Sequence, residues 1–305
     1  MTIGSLIPLM FHYVRRSSRS LPHSRHYEME AFQKLVRHLL YSECLFSTFS
    51  EYAHKPECRS NACVLTFDDG LADHYEVALF LHSQGIRATF YPISLPFLDL
   101  LVAPVHLVQY CVAKHGNDIL GLFTEYCQRS CILLPQLDSI KAERFSDIYN
   151  SYDTPSEAAL FKRIFNFYNI DPSTNFALRS FCTNIGIPTS PSDYYLTLDQ
   201  IIQIQRMGHE IGCHGHSHRP LSLLNSNDIY LELSKSKIFF ENATDTEIVS
   251  FCYPYGTESS FTDESINCLK RMGFTNACTA EPLSQIRGAE CDRIYRIPRQ
   301  DIANF

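Results

Sequence analysis

A short apolar run ending in two carboxylates and a glycine, Cys63-Val64-Leu65-Thr66-Phe67-Asp68-Asp69-Gly70, most constrains what this chain can fold into. Apolar strands of this kind lie buried in parallel α/β sheets, and ligands bind where their carboxyl ends emerge. Successive strand side chains point opposite ways, so Asp68 and Asp69 are expected to diverge and take different jobs. Gly70 then lets the backbone turn away tightly. For this stretch alone the plain alternative is one Asp capping the next helix and the other solvated.

The flanking sequence repeats the strand–helix rhythm. Residues 6–14 read as a first strand that delivers His12 near its end, followed by a basic, serine-rich loop from Arg15 to Arg25. Residues 28–40 form an amphipathic helix with Phe32, Leu35, Val36 and Leu39 on one stripe. A helix over 75–84 closed by Gly85 and a strand over 86–92 come next. Such alternation predicts βα units and a parallel sheet or barrel. Residues 96–192 break the pattern: they are leucine-rich and helix-leaning, with a glycine-marked strand expected only at about 181–187. The stretch is too long for a structureless loop and reads as a helical insertion in a single 1–305 domain.

The scaffold resumes near Tyr195, where Thr197 and Gln200 make a capping box for a helix through Met207. Strands over 210–214, 248–253 and 274–278 then alternate with helices over 227–240 and 262–272, and Ile294–Ile297 is expected as the last strand.

Composition removes several function classes. The net charge of −7 and the absence of a basic run exclude nucleic acid as the main partner. The apolar amino terminus is short, broken by Pro8 and preceded by no positive residue, so neither a signal peptide nor a membrane anchor is expected. No other run is long enough for a transmembrane segment, and the expected location is the cytoplasm. The 12 cysteines include no Cys-x-x-Cys pair and are expected to be reduced, buried small hydrophobes.

Residues 214–218 read His-Gly-His-Ser-His, and histidines at i and i+4 can share one metal ion. Gly215 and Pro220 favour a loop over a helix here, and His216 between the outer pair leaves the ligand pair open. An Asp from the Asp68-Asp69 pair completes a two-histidine, one-carboxylate set with open positions, suited to catalytic Zn²⁺ or another divalent ion. The other Asp can take a proton from an activated water as general base. This is hydrolase chemistry.

At this point the residues resemble a known family. Thr66-Phe67-Asp68-Asp69-Gly70, the His214/His218 pair and Phe251-Cys252-Tyr253-Pro254-Tyr255-Gly256 are similar, in order and placement, to the first three motifs of polysaccharide deacetylases (the NodB-homology domain, carbohydrate esterase family 4). The resemblance covers about 1–95 and 193–302. It implies a distorted (β/α)7 barrel and metal-dependent hydrolysis of a sugar N-acetyl group. It assigns Asp69, His214 and His218 as ligands, Asp68 as base, and the Tyr255 N–H as an oxyanion donor. Zinc is the first expectation for the cofactor, with Co²⁺, Ni²⁺, Fe²⁺ and Mn²⁺ as alternatives.

Three departures shape the expected site. Many members carry Arg where this chain has Cys252; the third motif is closer to the poly-N-acetylglucosamine deacetylase version, and Arg299, with Arg296 second, is expected to orient the base. No histidine follows His218, so the general acid is assigned to His12, in a segment similar to the Tyr-His strand of those enzymes. The chain has no tryptophan, so Tyr253 and Phe261 are the candidates for a pocket wall. The expected substrate is a nucleotide- or lipid-linked N-acetyl sugar for a surface glycan. The insertion is read as a helical subdomain, with a lid, a dimer face or a peripheral membrane contact as its other readings. The rival functions are a deformylase or other amide hydrolase on the same scaffold, and a catalytically silent sugar-binding protein.

Overall fold

The computed structural model describes residues 8–54, 62–130, 132, 157–168, 172–280 and 290–302. They fall into two compact units, one of residues 1–16, 26–97 and 195–305, the other of residues 17–25 and 98–194.

The first unit is built on parallel strands β1 (Leu9–Phe11), β2 (Leu65–Asp69), β3 (Thr89–Pro92), β4 (Glu210–Ile211), β5 (Ser250–Cys252), β6 (Asn276–Cys278) and β7 (Gln300–Asp301). Five of them pair in the order β7-β1-β2-β3-β4, and β5 pairs with β6. Two parallel bridges join these sheets into a ring: Cys213 to Phe251, and Cys278 to Ile297. A mixed α/β barrel of seven parallel strands results, the (β/α)7 class expected from the sequence.

Alternation along β2 sorts its side chains. Leu65 and Phe67 join the outer core under helix α1 (Met29–Tyr41), where Phe67 stacks on Phe11 and on Phe90 at 5.3 and 4.8 Å. Val64 belongs instead to a second cluster with Tyr91, Cys252, Cys278 and Ile297. Helix α2 (Phe49–His54) contributes Phe49, Tyr52 and Ala53 to that cluster. Its first turn is held by the Glu210 carboxylate, which accepts from the Ser50 N–H and from the Thr89 hydroxyl. Gly212 is required by close approach: a Cβ there would stand 2.3 Å from the Tyr91 ring.

Helix α3 (His74–Ser83) follows the Asp-Asp-Gly turn, in which Gly70 takes φ +70° with Pro92 packed against its Cα. Helix α4 (Leu198–Arg206) has the expected Thr197/Gln200 capping box. Helices α5 (Ser226–Thr244) and α6 (Asp263–Arg271) complete the layer, the latter with a Thr262/Ser265 capping box.

Two expectations need correction. Ile294–Ile297 is not the last strand: Glu290–Tyr295 is a 3-10 turn anchored by the Tyr295 hydroxyl on the Phe274 carbonyl. Only Ile297 bridges to β6, and β7 begins at Gln300. Residues 181–187 are not a strand, because Phe181 to Asn184 finish the helix Pro172–Asn184.

The second unit is helical, with helices Pro104–His115, Ile119–Arg129, Glu157–Arg163 and Pro172–Asn184. Phe123, Phe161, Phe165 and Phe181 pack edge to face within it. Residues 17–25 join it through the His23 N–H, which donates to the Ala113 carbonyl at 2.9 Å. All nine described cysteines that are free thiols are buried, as expected. No helix among the described residues is long and apolar enough to cross a membrane.

Buried His209 gives this fold an acid sensitivity. Its Nδ1 accepts from the Ala88 N–H and its Nε2 donates to the Ala78 carbonyl, both at 3.2 Å, which fixes the neutral ring. Burial pushes its pKa from 6.5 down to about 4, against a smaller opposing effect of the Ala78 bond. The unfolded chain therefore takes up a proton near pH 6.5 that the folded chain refuses until about pH 4. Stability is complete above that window and falls on acidification through it, by about 3 kcal/mol from this group. Urea denaturation at pH 7 and 4.5 should show this loss, and His209→Gln should have a shallower pH slope. Equal slopes would remove His209 as the cause.

Candidate metal centre and active site

Asp68 and Asp69 end β2 side by side and part company as the strand pleat requires. Asp68 turns inward to Arg299, a residue only 1% exposed. Every N–H of that guanidinium is engaged. Nη1 donates to Asp68 Oδ1 at 2.7 Å and to Thr66 Oγ1 at 2.9 Å. Nη2 donates to Asp68 Oδ2 at 2.7 Å and lies 3.0 Å from Cys252 Sγ, while Nε donates to the Thr279 carbonyl at 3.1 Å. Burial alone would raise the Asp68 carboxyl, but the charge and hydrogen bonds of Arg299 outweigh it and hold the carboxyl at about 2.

Cys252 stands where the sequence departs from the common motif. Burial pushes its thiol well above the ordinary range, so the S–H persists and donates to Asp68 Oδ2 at 3.4 Å. Cys252, at the end of β5, and Arg299, just before β7, thus meet the same carboxylate. Arg296, the second choice at the sequence level, goes elsewhere: it binds Glu258 through two 2.9 Å bonds and Asp263 at 2.7 Å.

Asp69 faces the other way, with a left-handed backbone at φ +77°. Its Oδ1 lies 3.4 Å from His214 Nε2 and 3.3 Å from His218 Nε2. Ligand atoms each 2.0–2.1 Å from a tetrahedral ion stand about 3.3 Å apart, so these separations fit a divalent metal. The His214 Nδ1 donates to the Cys252 carbonyl at 2.8 Å, which leaves Nε2 as the lone-pair nitrogen facing Asp69. Burial pushes the His214 pKa down, but the Asp69 carboxylate, which would accept from a proton held on Nε2, and the charges of Asp68 and Asp69 outweigh it and raise it, so a metal ion bound there would take that proton's place.

Asp68, His214 and Cys252 form a second cluster of ligand types. Arg299 already places a cation within 3.0 Å of both the Asp68 carboxylate and Cys252 Sγ, so the electrostatics favour the Asp69 set for a metal.

The 214–218 segment is a loop, as Gly215 and Pro220 suggested. His216 leaves the cluster: its Nδ1 pairs with the Ser94 hydroxyl at 2.9 Å and its carbonyl accepts from the Leu95 N–H. The open choice among three histidines is thereby narrowed to the outer pair. His218 takes φ +60°, and its ring meets that of Tyr255, itself at φ +66°, edge to face at 4.8 Å. Three non-glycine residues with left-handed backbones therefore sit together, each a conformation that costs about 1–3 kcal/mol and clusters at functional sites.

His12 reaches the cluster from β1, its Nε2 3.9 Å from Asp68 Oδ2 and its side chain about a third exposed. Its carbonyl accepts from His74 Nε2 at 2.7 Å, a buried support that sequence reasoning did not single out. Tyr253 and Phe261 do not form an open pocket wall. They stack on each other at 4.1 Å, are 1% and 4% exposed, and belong to the outer core under Arg296. Glu232 on α5 was also missed: its buried carboxylate accepts from the N–H and hydroxyl of Ser217, beside His218. Its place on an apolar helical stripe was the available signal.

The sequence pattern of the polysaccharide deacetylase family matches residues 163–277. Among solved structures the chain is similar to a Streptococcus pyogenes deacetylase, PplD, solved with acetate, at 13% identity and TM-score 0.59, covering 99% of this chain and 93% of that one. It is similar to IcaB from Ammonifex degensii at 14% identity and TM-score 0.57, covering 98% and 92%. A de-N-acetylase from Aggregatibacter actinomycetemcomitans aligns at 15% identity and TM-score 0.54, covering 96% and 93%. No match was found among curated proteins. At these identities the structures establish a shared fold, and the family match bears out the resemblance read from the motifs.

Proposed function

We propose that this chain, which resembles the polysaccharide deacetylases in sequence over residues 163–277 and in fold, is a metal-dependent N-deacetylase that hydrolyses the acetamide of an N-acetylated sugar. The observation that carries this reading is the Asp69, His214 and His218 donor set at tetrahedral spacing, with the separately held Asp68 carboxylate beside it.

Asp69, His214 and His218 would hold the ion, with zinc the first choice for one carboxylate and two imidazoles. When bound, the ion would supply Lewis acidity toward the acetamide and lower the pKa of water toward neutrality. Asp68 accepts the proton of the attacking water on a carboxylate oxygen, while Arg299 fixes its plane. The Tyr255 N–H donates to the developing oxyanion. His12, close enough to Asp68 to work on the same substrate, protonates the departing amine through Nε2. Acetate and a free amino sugar leave.

The substrate class that fits best is a nucleotide- or lipid-linked N-acetyl sugar handled in the cytoplasm for a surface glycan. Elemental analysis of the purified chain, with acetate and formate release measured on free, nucleotide-linked and lipid-linked N-acyl sugars, tests the reading. One divalent ion per chain and acetate from one class is the expected result. Formate in place of acetate would redirect the reading to a deformylase, and a chain that binds no metal when offered it would sink it.

A further inference from the structure

We propose that Glu232 is a positioning residue for the metal centre: through Ser217 it holds His218 in the left-handed backbone that brings its Nε2 to Asp69. The inference rests on the metal-dependent reading above and adds a residue that none of the three motifs contains.

Glu232 lies on α5, 18 positions beyond His214, and is 7% exposed. A carboxylate seldom sits this deep without a strong partner. Its partners are both on one residue. Oε1 accepts from the Ser217 backbone N–H, and the Ser217 hydroxyl reaches Oε1 at 3.0 Å and Oε2 at 2.9 Å. Both ends of Ser217 are thus pinned one residue before His218.

That pin matters because His218 is at φ +60°. A residue with a Cβ relaxes out of the left-handed region unless its surroundings over-determine it. The upstream half of the loop is fixed by the His214 N–H on the Pro92 carbonyl and by the Leu95 N–H on the His216 carbonyl, at 3.2 and 2.9 Å. Gly215 fits between, where a Cβ would come within 3.3 Å of Glu232 Oε1. Glu232 closes the downstream half. With Glu232 gone, His218 is free to relax, and its Nε2 moves off the 3.3 Å separation from Asp69 Oδ1 that suits a shared ion.

Co²⁺ titration of the metal-free full-length chain, followed by its visible d–d absorption, reads this directly and needs no substrate. Glu232→Ala should weaken Co²⁺ binding about 10–100-fold, the usual effect of removing an outer support of a ligand. Its absorption should weaken as His218 leaves a tetrahedral set. Glu232→Gln, which keeps one acceptor for the Ser217 N–H, should fall between Glu232→Ala and the parent. Ser217→Ala leaves α5 intact and should also weaken binding, and combining it with Glu232→Ala should add little, because the two act as one unit. Parent-like Co²⁺ affinity in Glu232→Ala and Ser217→Ala would overturn the proposal, even if thermal stability dropped. A parent chain that binds no Co²⁺ would overturn the metal-dependent reading, and this inference with it.

Discussion

Replacing Arg299 by methionine is expected to cost about 3–5 kcal/mol of stability and to abolish turnover. The energetic loss comes from Asp68 more than from the arginine. Asp68 is 2% exposed, and with Arg299 in place its carboxyl sits at about 2, below the ordinary 3.8. In the parent protein this pairing contributes stability that is complete above pH 3.8 and lost as the pH falls through about 2. Remove the guanidinium, and burial, the largest effect on this group, is opposed only by the charges of His214 and His12 and is expected to lift the carboxyl above its unfolded value. The sign then reverses: the variant is penalised increasingly as the pH rises through that lifted value, because ionising a buried, unpaired carboxylate is the costly step. Urea denaturation of the metal-free proteins at pH 4.5 and 7 should show a deficit that grows with pH. Asp68→Leu combined with Arg299→Met should recover most of the stability while remaining inactive, since apolar replacement of a whole buried pair is often neutral. A single Arg299→Met variant as stable as its parent at pH 7 would mean that the pair is screened by water, and its role in orienting Asp68 would lose its basis.

The parts of this site that were legible in the sequence are those encoded by local pattern. The run from Cys63 to Gly70 marks a strand end because apolar residues stop abruptly at two carboxylates, and β2 ends at Asp69. Gly215 and Pro220 argue for a loop at 214–218, and a loop is found. The Thr197/Gln200 box sets a helix start to the residue. Arg299 could be preferred over Arg296 only through the family resemblance, since both are arginines in one short segment. Non-local contacts stayed out of reach. Glu232 meets Ser217 across 15 positions, and its helix gives no hint of which loop it faces. Ile294–Ile297 was misread because a four-residue run rich in β-branched and aromatic residues suits a short strand, whereas its first half ends a 3-10 turn and only Ile297 bridges to a strand. Tyr253 and Phe261 were misread because proximity to a motif says nothing about side-chain direction: the two rings face each other in the core. The left-handed backbones of Asp69, His218 and Tyr255 were not legible, because Asp and His adopt that conformation more often than most residues but still rarely, and Tyr gives no such signal.

Asp68→Asn and Asp69→Asn, one residue apart and identical in chemistry, are expected to fail in different ways. Asp69 Oδ1 faces the Nε2 atoms of His214 and His218, so Asp69→Asn removes the anionic member of the ligand set and should lose the metal. His214→Ala should do the same. Asp68 makes its short contacts to Arg299, Cys252 and, at 3.9 Å, His12, so Asp68→Asn should keep about one ion per chain. What it loses is the proton acceptor, and turnover should fall by about 10²–10⁴-fold, the usual worth of a positioned general base. Elemental analysis and acetate release on the same preparations separate the two failures. Metal retained without turnover in Asp68→Asn, against metal lost in Asp69→Asn, is the pattern expected if neighbouring strand residues divide into base and ligand. Loss of the ion from Asp68→Asn would instead place that carboxylate in the coordination sphere, and the base would have to be found elsewhere, with His12, 3.9 Å from Asp68 Oδ2, the next side chain to test.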